Sequence, residues 1–167
     1  MTDNTEQAVQ PLIAAALATL QRGDSAGALA MLLDAEQKNP KSLGIKLNLA
    51  LAHRTLADYR SALRALDTAL AIDPYFFLAL LSKGMVLEQM NQPRLAAETY
   101  RNALKIAPPA EQTPPSLQAP IARARMLVAE QAEAQALHLR EQLGTLRAQH
   151  PGESLDRFDE CLGILAG

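Results

Sequence analysis

The sequence predicts an all-α protein: three stacked helix pairs, then a long helix and a short terminal one. Three observations lead there. Pro40, Pro74 and Pro108 recur at intervals of 34 residues. Alanines stand twelve and five residues before each proline: Ala28 and Ala35, Ala62 and Ala69, Ala96 and Ala103. Between each pair of alanines, eight residues before the proline, lies a large residue: Leu32, Leu66 or Tyr100. Composition agrees. The chain is 49% hydrophobic but only 4% aromatic, with no Trp. Such an Ala- and Leu-rich mixture suits close-packed helices better than a sheet built from β-branched and aromatic residues.

Residues 1–8 are polar and acidic and read as a flexible terminus. The repeating units then run over 9–42, 43–76 and 77–110. Each divides at a turn signal, Arg22-Gly23-Asp24, Leu56-Ala57-Asp58 or Asn91-Gln92-Pro93. Gly23 admits a left-handed turn, and Pro93 suits the first residue of a helix, where a missing N–H costs nothing. Asn39-Pro40 and Asp73-Pro74 end second helices, because a residue before proline is pushed out of helical geometry. One such pair cannot bury its own apolar face, so the three must stack.

Residues 107–120, APPAEQTPPSLQAP, hold five prolines and read as a stiff connector. A long helix is expected over 121–150. Its stripe is Ile121, Ala124, Val128, Ala132, Gln135, Leu139, Leu143 and Leu146. At 1.5 Å per residue it would span about 45 Å, enough to cross all three pairs as a cap. Gly144 weakens it and Pro151-Gly152 ends it. In 154–167, Ser154 caps a short amphipathic helix carrying Leu155, Phe158, Leu162 and Leu165 on one face.

A net charge of −2 gives no basic footprint for nucleic acid. No apolar run reaches the length of a membrane span, and the N-terminus lacks the features of a signal peptide. The lone Cys161 has no internal disulfide partner, so a reducing, cytoplasmic setting is expected. No catalytic set is legible. His53, His138 and His150 are far apart and unpaired with metal-ligand spacing. Cys161 has no local base, and Met85, Met90 and Met126 read as pliable packing. No enzyme activity, metal or cofactor is therefore expected of this chain.

The 34-residue pattern of alanines, large residues and prolines, with Gly84 in the third copy, resembles the tetratricopeptide repeat. The resemblance covers residues 9–108. It implies a right-handed superhelix whose first helices line a concave, peptide-binding groove. The usual aromatic residues of the first helices are replaced by Leu12, Lys46 and Leu80 early, and by Thr19, His53 and Leu87 later. Carried over by alignment, the groove would be lined by Ile13, Leu17, Leu20, Leu47, Asn48, Leu51, Arg54, Leu78, Leu81, Ser82, Met85 and Glu88. One subtype grips the C-terminal carboxylate of chaperones with Lys, Arg and Asn. Here only Asn48 matches, while Ile13, Leu17, Leu78 and Ser82 occupy other clamp positions, so that mode is excluded. The apolar groove needs an occupant. The candidates are a partner protein or peptide, or the chain's own helix 121–150; the chain could also pair with a second copy.

The order of parts and the closing residues 155–167, LDRFDECLGILAG, resemble the N-terminal region of bacterial aspartyl/asparaginyl β-hydroxylase proteins. In that family a helical-repeat region precedes an oxygenase domain that uses Fe(II) and 2-oxoglutarate. This resemblance implies a non-catalytic, substrate-recognising part whose catalytic domain would begin after Gly167. The remaining expectation is a stand-alone scaffold or adaptor.

Overall fold

The computed structural model describes residues 3–149. The short helix expected at 154–167, with Cys161, and the expected end of the long helix at His150 lie outside the described residues. The elements are α1 (Asp3–Gln21), α2 (Ser25–Lys38), α3 (Leu43–Thr55), α4 (Tyr59–Ile72), α5 (Phe77–Gln89), α6 (Pro93–Lys105), a 3-10 turn (Ala110–Gln112) and α7 (Pro115–Gln149). Each helix packs on the next through α1 to α6, and α6 packs on α7. The odd helices α1, α3, α5 and α7 also touch in sequence, which makes a solenoid with α7 where a fourth first helix would stand.

The periodic residues do what their spacing requires. All six repeat alanines are buried, as are Leu32, Leu66 and Tyr100. All of these but Ala28 and Ala103 belong to three core clusters, one centred on α1–α3, one on α3–α5 and one on α5–α7. The turns repeat as faithfully. Gly23, Ala57 and Asn91, each 34 residues apart, all have positive φ, at 87°, 58° and 57°. Asp24 and Asp58 then cap α2 and α4 by accepting from the backbone N–H groups of Gly27 and Ser61. At the third turn Gln92 occupies the same place and makes no side-chain cap. Gln92→Asp should supply the missing acceptor and raise stability by about 1 kcal/mol, read as a higher urea midpoint.

Asp58 also lies close to His53. Its Oδ2 is 3.2 Å from Nδ1, without hydrogen-bond geometry, so the pairing is electrostatic and requires a protonated imidazole. Hydrogen bonds from Ser61 hold the Asp58 carboxyl below its ordinary value, with smaller help from His53 and Arg64 against the effect of burial. A depressed carboxyl stabilises the fold above its unfolded pKa and loses that contribution as pH falls through the folded one.

Lys46 shows how an expected aromatic position is filled by a cation. Its side chain is 4% exposed, and its ammonium reaches Glu36 of α2 at 2.9 Å. The methylene stem fills space while the head pairs.

Two boundaries differ from the sequence expectation. The first helix begins at Asp3, inside the stretch expected to be flexible. Burial of Val9, Ile13 and Ala16 against α2 and α3 stabilises it despite the interior Pro11. The last helix begins at Pro115 and takes over the final six residues of the expected connector. Pro115 tolerates its place at the helix start, and the early interior Pro120 is offset by apolar contacts of Leu117 and Ile121 with the α5–α7 core.

The long helix does not cross the three pairs. It packs on α6 and α5 through Ile121, Ala124 and Leu127, with Val128 half-buried. Of the expected stripe, Ala132, Gln135, Leu139 and Leu146 are exposed. For Leu139 and Leu146 the lengths explain this. The 13 residues of α6 reach about 20 Å and the 35 residues of α7 about 52 Å, so the second half of α7 has outrun its partner.

Candidate peptide-binding groove

α3 and α5 lie side by side and leave an open trough between them. The cavity there has a volume of about 280 Å³. From α3 it receives Leu47, Asn48, Leu51 and Arg54, spaced so that they share one helical face. From α5 come Leu78, Leu81, Ser82 and Met85. These eight are among the twelve residues expected to line the groove.

The other four are placed elsewhere. Ile13 is buried in the α1–α3 core, and Leu17 packs against that same cluster. Leu20 is half-buried and does not line the cavity. The cavity lies one helix further along than the expected groove, because α1 presses its apolar face onto α2 and α3. Glu88 is committed to its neighbours. It accepts from the Tyr100 hydroxyl at 2.8 Å and from Arg123 of α7 at 2.8 and 2.7 Å. It faces an adjoining cavity of about 380 Å³ that shares Met85 and Pro120 with the first.

Sequence reasoning missed Leu117 and Pro120, which wall the end of the trough. Both sit in the Pro-rich stretch read as connector. The signal was present in Pro115, a favourable helix start with the apolar Leu117 and Ile121 following at helical spacing. It also missed Ala50, Leu66 and Val86, core residues that form the floor. The chain's own helix does not fill the groove. It borders one end and leaves the space between α3 and α5 open.

The wall divides by commitment. Leu47 and Met85 pack against core clusters. Leu51 and Leu78 line the cavity and belong to none of the three core clusters. Asn48 donates its amide to the Gly44 carbonyl at 2.8 Å and so is partly spent on its own helix. The Tyr100 phenol is pushed up by burial and by its bond to Glu88, with Arg123 and Arg54 pulling the other way. Arg54 therefore stands within electrostatic reach of that end of the trough.

The tetratricopeptide-repeat family model matches residues 43–76 and 78–109. The chain carries tetratricopeptide repeats. These are the second and third helix pairs, α3–α4 and α5–α6. The pair α1–α2 repeats the turn geometry of both through Gly23, and the cap of α4 through Asp24. Solved repeat proteins have similar folds. The type III secretion chaperone SycD of Yersinia enterocolitica, in complex with a peptide of the translocator YopD, matches with a TM-score of 0.63 at 14% identity, over 81% of this chain and 95% of that one. PcrH in complex with the chaperone-binding region of PopD gives 0.64 at 18%, over 78% and 95%. The first repeat domain of Spaghetti (RPAP3) bound to the HSP90 peptide SRMEEVD gives 0.61 at 15%, over 74% and 98%. At such identities the likeness shows the fold.

Among the described residues there is no group of three or more His, Cys, Asp or Glu side chains placed to hold a metal. No described helix is long and apolar enough to cross a membrane.

Proposed function

We propose that this chain is a protein-binding repeat module that holds an apolar segment of a partner between α3 and α5. The observation that carries this is the state of Leu51 and Leu78: both face an open cavity and neither is claimed by the core. Half-buried apolar side chains around an open concavity are the usual lining of a binding site. Each of the three similar structures was solved with a peptide or binding region of its partner. The volume suits the role. An apolar cavity of about 150 Å³ holds a benzene ring, so about 280 Å³ accommodates two side chains of leucine size.

The test is binding of fluorescent peptides bearing paired leucines, measured by anisotropy on the 167-residue chain. Leu51→Ala should weaken binding about tenfold, the value of one largely buried leucine truncated to alanine. Unchanged affinity in both Leu51→Ala and Leu78→Ala would remove the groove from consideration.

A finer version of this reading makes the module the substrate-recognising part of an Fe(II)/2-oxoglutarate-dependent aspartyl/asparaginyl β-hydroxylase. It rests on the order of parts and on residues 155–167. Sequencing the reading frame past codon 167 tests it: an oxygenase domain there supports it, and a stop codon ends it. A second reading, an adaptor that pairs with another copy, is favoured by Leu137, Leu139 and Leu146, which are exposed on α7 beyond the third pair. Sedimentation showing only monomer at high concentration would count against it.

A further inference from the structure

Among the described residues, the groove has one charged side chain without a hydrogen-bonding partner. Glu88 is held by Tyr100 and Arg123, and Asn48 bonds back to its own helix. The side chain of Arg54, in the last turn of α3, makes no hydrogen bond or ion pair with the described residues. Its backbone carbonyl accepts from the Ala57 N–H, and the side chain lines the same apolar wall as Leu51 and Met85. A half-buried guanidinium beside leucines is poorly solvated, and a carboxylate brought to it gains more there than on an open surface.

The trough does not end at Arg54. The main cavity shares Met85 and Pro120 with the adjoining one at the Glu88 end of α5. A bound segment therefore has room to run on, and a carboxylate meeting Arg54 need not be a chain terminus. We propose that the groove selects an internal partner segment in which two bulky apolar side chains are flanked by an aspartate or glutamate, whose carboxylate pairs with Arg54. This rests on the groove reading above and gives it a chemical preference: acidic over neutral or basic segments at one flank of the apolar anchors.

The probes are short peptides carrying two leucines at every spacing up to one helical turn, each prepared both C-terminally amidated and with a free C-terminal carboxylate. Each is made with Asp, Asn or Lys at either flank and titrated into the 167-residue chain. The best Asp peptide should bind about fivefold to tenfold tighter than its Asn twin, the range from a surface ion pair to a charge-assisted hydrogen bond. That preference should shrink with added salt. Arg54→Gln should erase it, so that the Asp and Asn peptides bind alike, and Arg54→Glu should turn it toward Lys. Thermal melts confirm that both variants fold. Equal binding of Asp and Asn peptides across the set overturns the Arg54 proposal and leaves the groove reading intact. Tight binding only by peptides with a free C-terminal carboxylate overturns the internal segment. Absence of binding by every peptide overturns both readings.

Discussion

Gly84→Ala should be the most damaging small change in the molecule, lowering stability by about 3 kcal/mol in chemical denaturation. A Cβ at residue 84 would lie within 3.0 Å of three ring carbons of Tyr100, a side chain with no solvent exposure. The change gains about 1 kcal/mol in helix propensity, so the overpacking term must exceed it for the loss to appear. The chain contains its own control. Residues 16 and 50, at 34-residue steps before Gly84, are alanines, and the facing large residues are Leu32 and Leu66. Alanine faces leucine in the first two pairs, and glycine faces tyrosine in the third. Gly84→Ala combined with Tyr100→Leu rebuilds the earlier arrangement. The double variant should therefore be more stable than the sum of the two single losses predicts, with a coupling of about 1–3 kcal/mol. Additive losses would mean that Gly84 serves backbone flexibility rather than ring packing.

That pairing also shows what could be read from the sequence alone. The alanines, prolines and turn residues were legible because each is dictated by contacts inside its own repeat or with the next one. The residues that line the trough were legible on α3 and α5 for the same reason. It was not legible on α1, because Ile13 and Leu17 have the same helical spacing whether they face a ligand or a neighbouring helix, and only the stack decides. Helical periodicity likewise marked a stripe along α7 but could not show where its partner ends. The burial of Leu127 in place of Ala132 is a matter of face: Ile121, Ala124, Leu127 and the half-buried Gln131 lie on one side of the helix, and Ala132 is exposed although α6 still runs beside Gln131 and Gln135. Leu117 and Pro120 were hidden by composition: five prolines suggest a connector, yet Pro115 sits where a helix tolerates proline. The buried Lys46 was visible only as a departure from pattern. Its partner Glu36 lies on α2, the second helix of the preceding pair.

Glu88→Ala should lower stability by about 2 kcal/mol and loosen α7, because one carboxylate serves two elements. Its Oε2 accepts from the Tyr100 hydroxyl of α6, and its Oε1 from Arg123 of α7. Truncation leaves a buried hydroxyl without an acceptor, which costs more than the bond itself was worth. It also frees Arg123, whose other carboxylate contact is Glu130 on its own helix at 3.6 Å. Glu88→Gln should recover part of the loss, since an amide oxygen can still accept from Tyr100 but carries no charge for Arg123. Adding Tyr100→Phe to Glu88→Ala removes the orphaned donor, so the double variant should be worse than Tyr100→Phe alone only by the lost Arg123 pair, about 1 kcal/mol or less. Hydrogen exchange along α7 separates the two duties of Glu88. Faster exchange over residues 117–128 in Glu88→Ala, with less effect in Tyr100→Phe, would assign the holding of α7 to the Arg123 arm. The consequence reaches the groove. Leu117 and Pro120 wall its end only while α7 stays docked, so, on the function proposed above, Glu88→Ala should weaken peptide binding without touching Leu51 or Leu78.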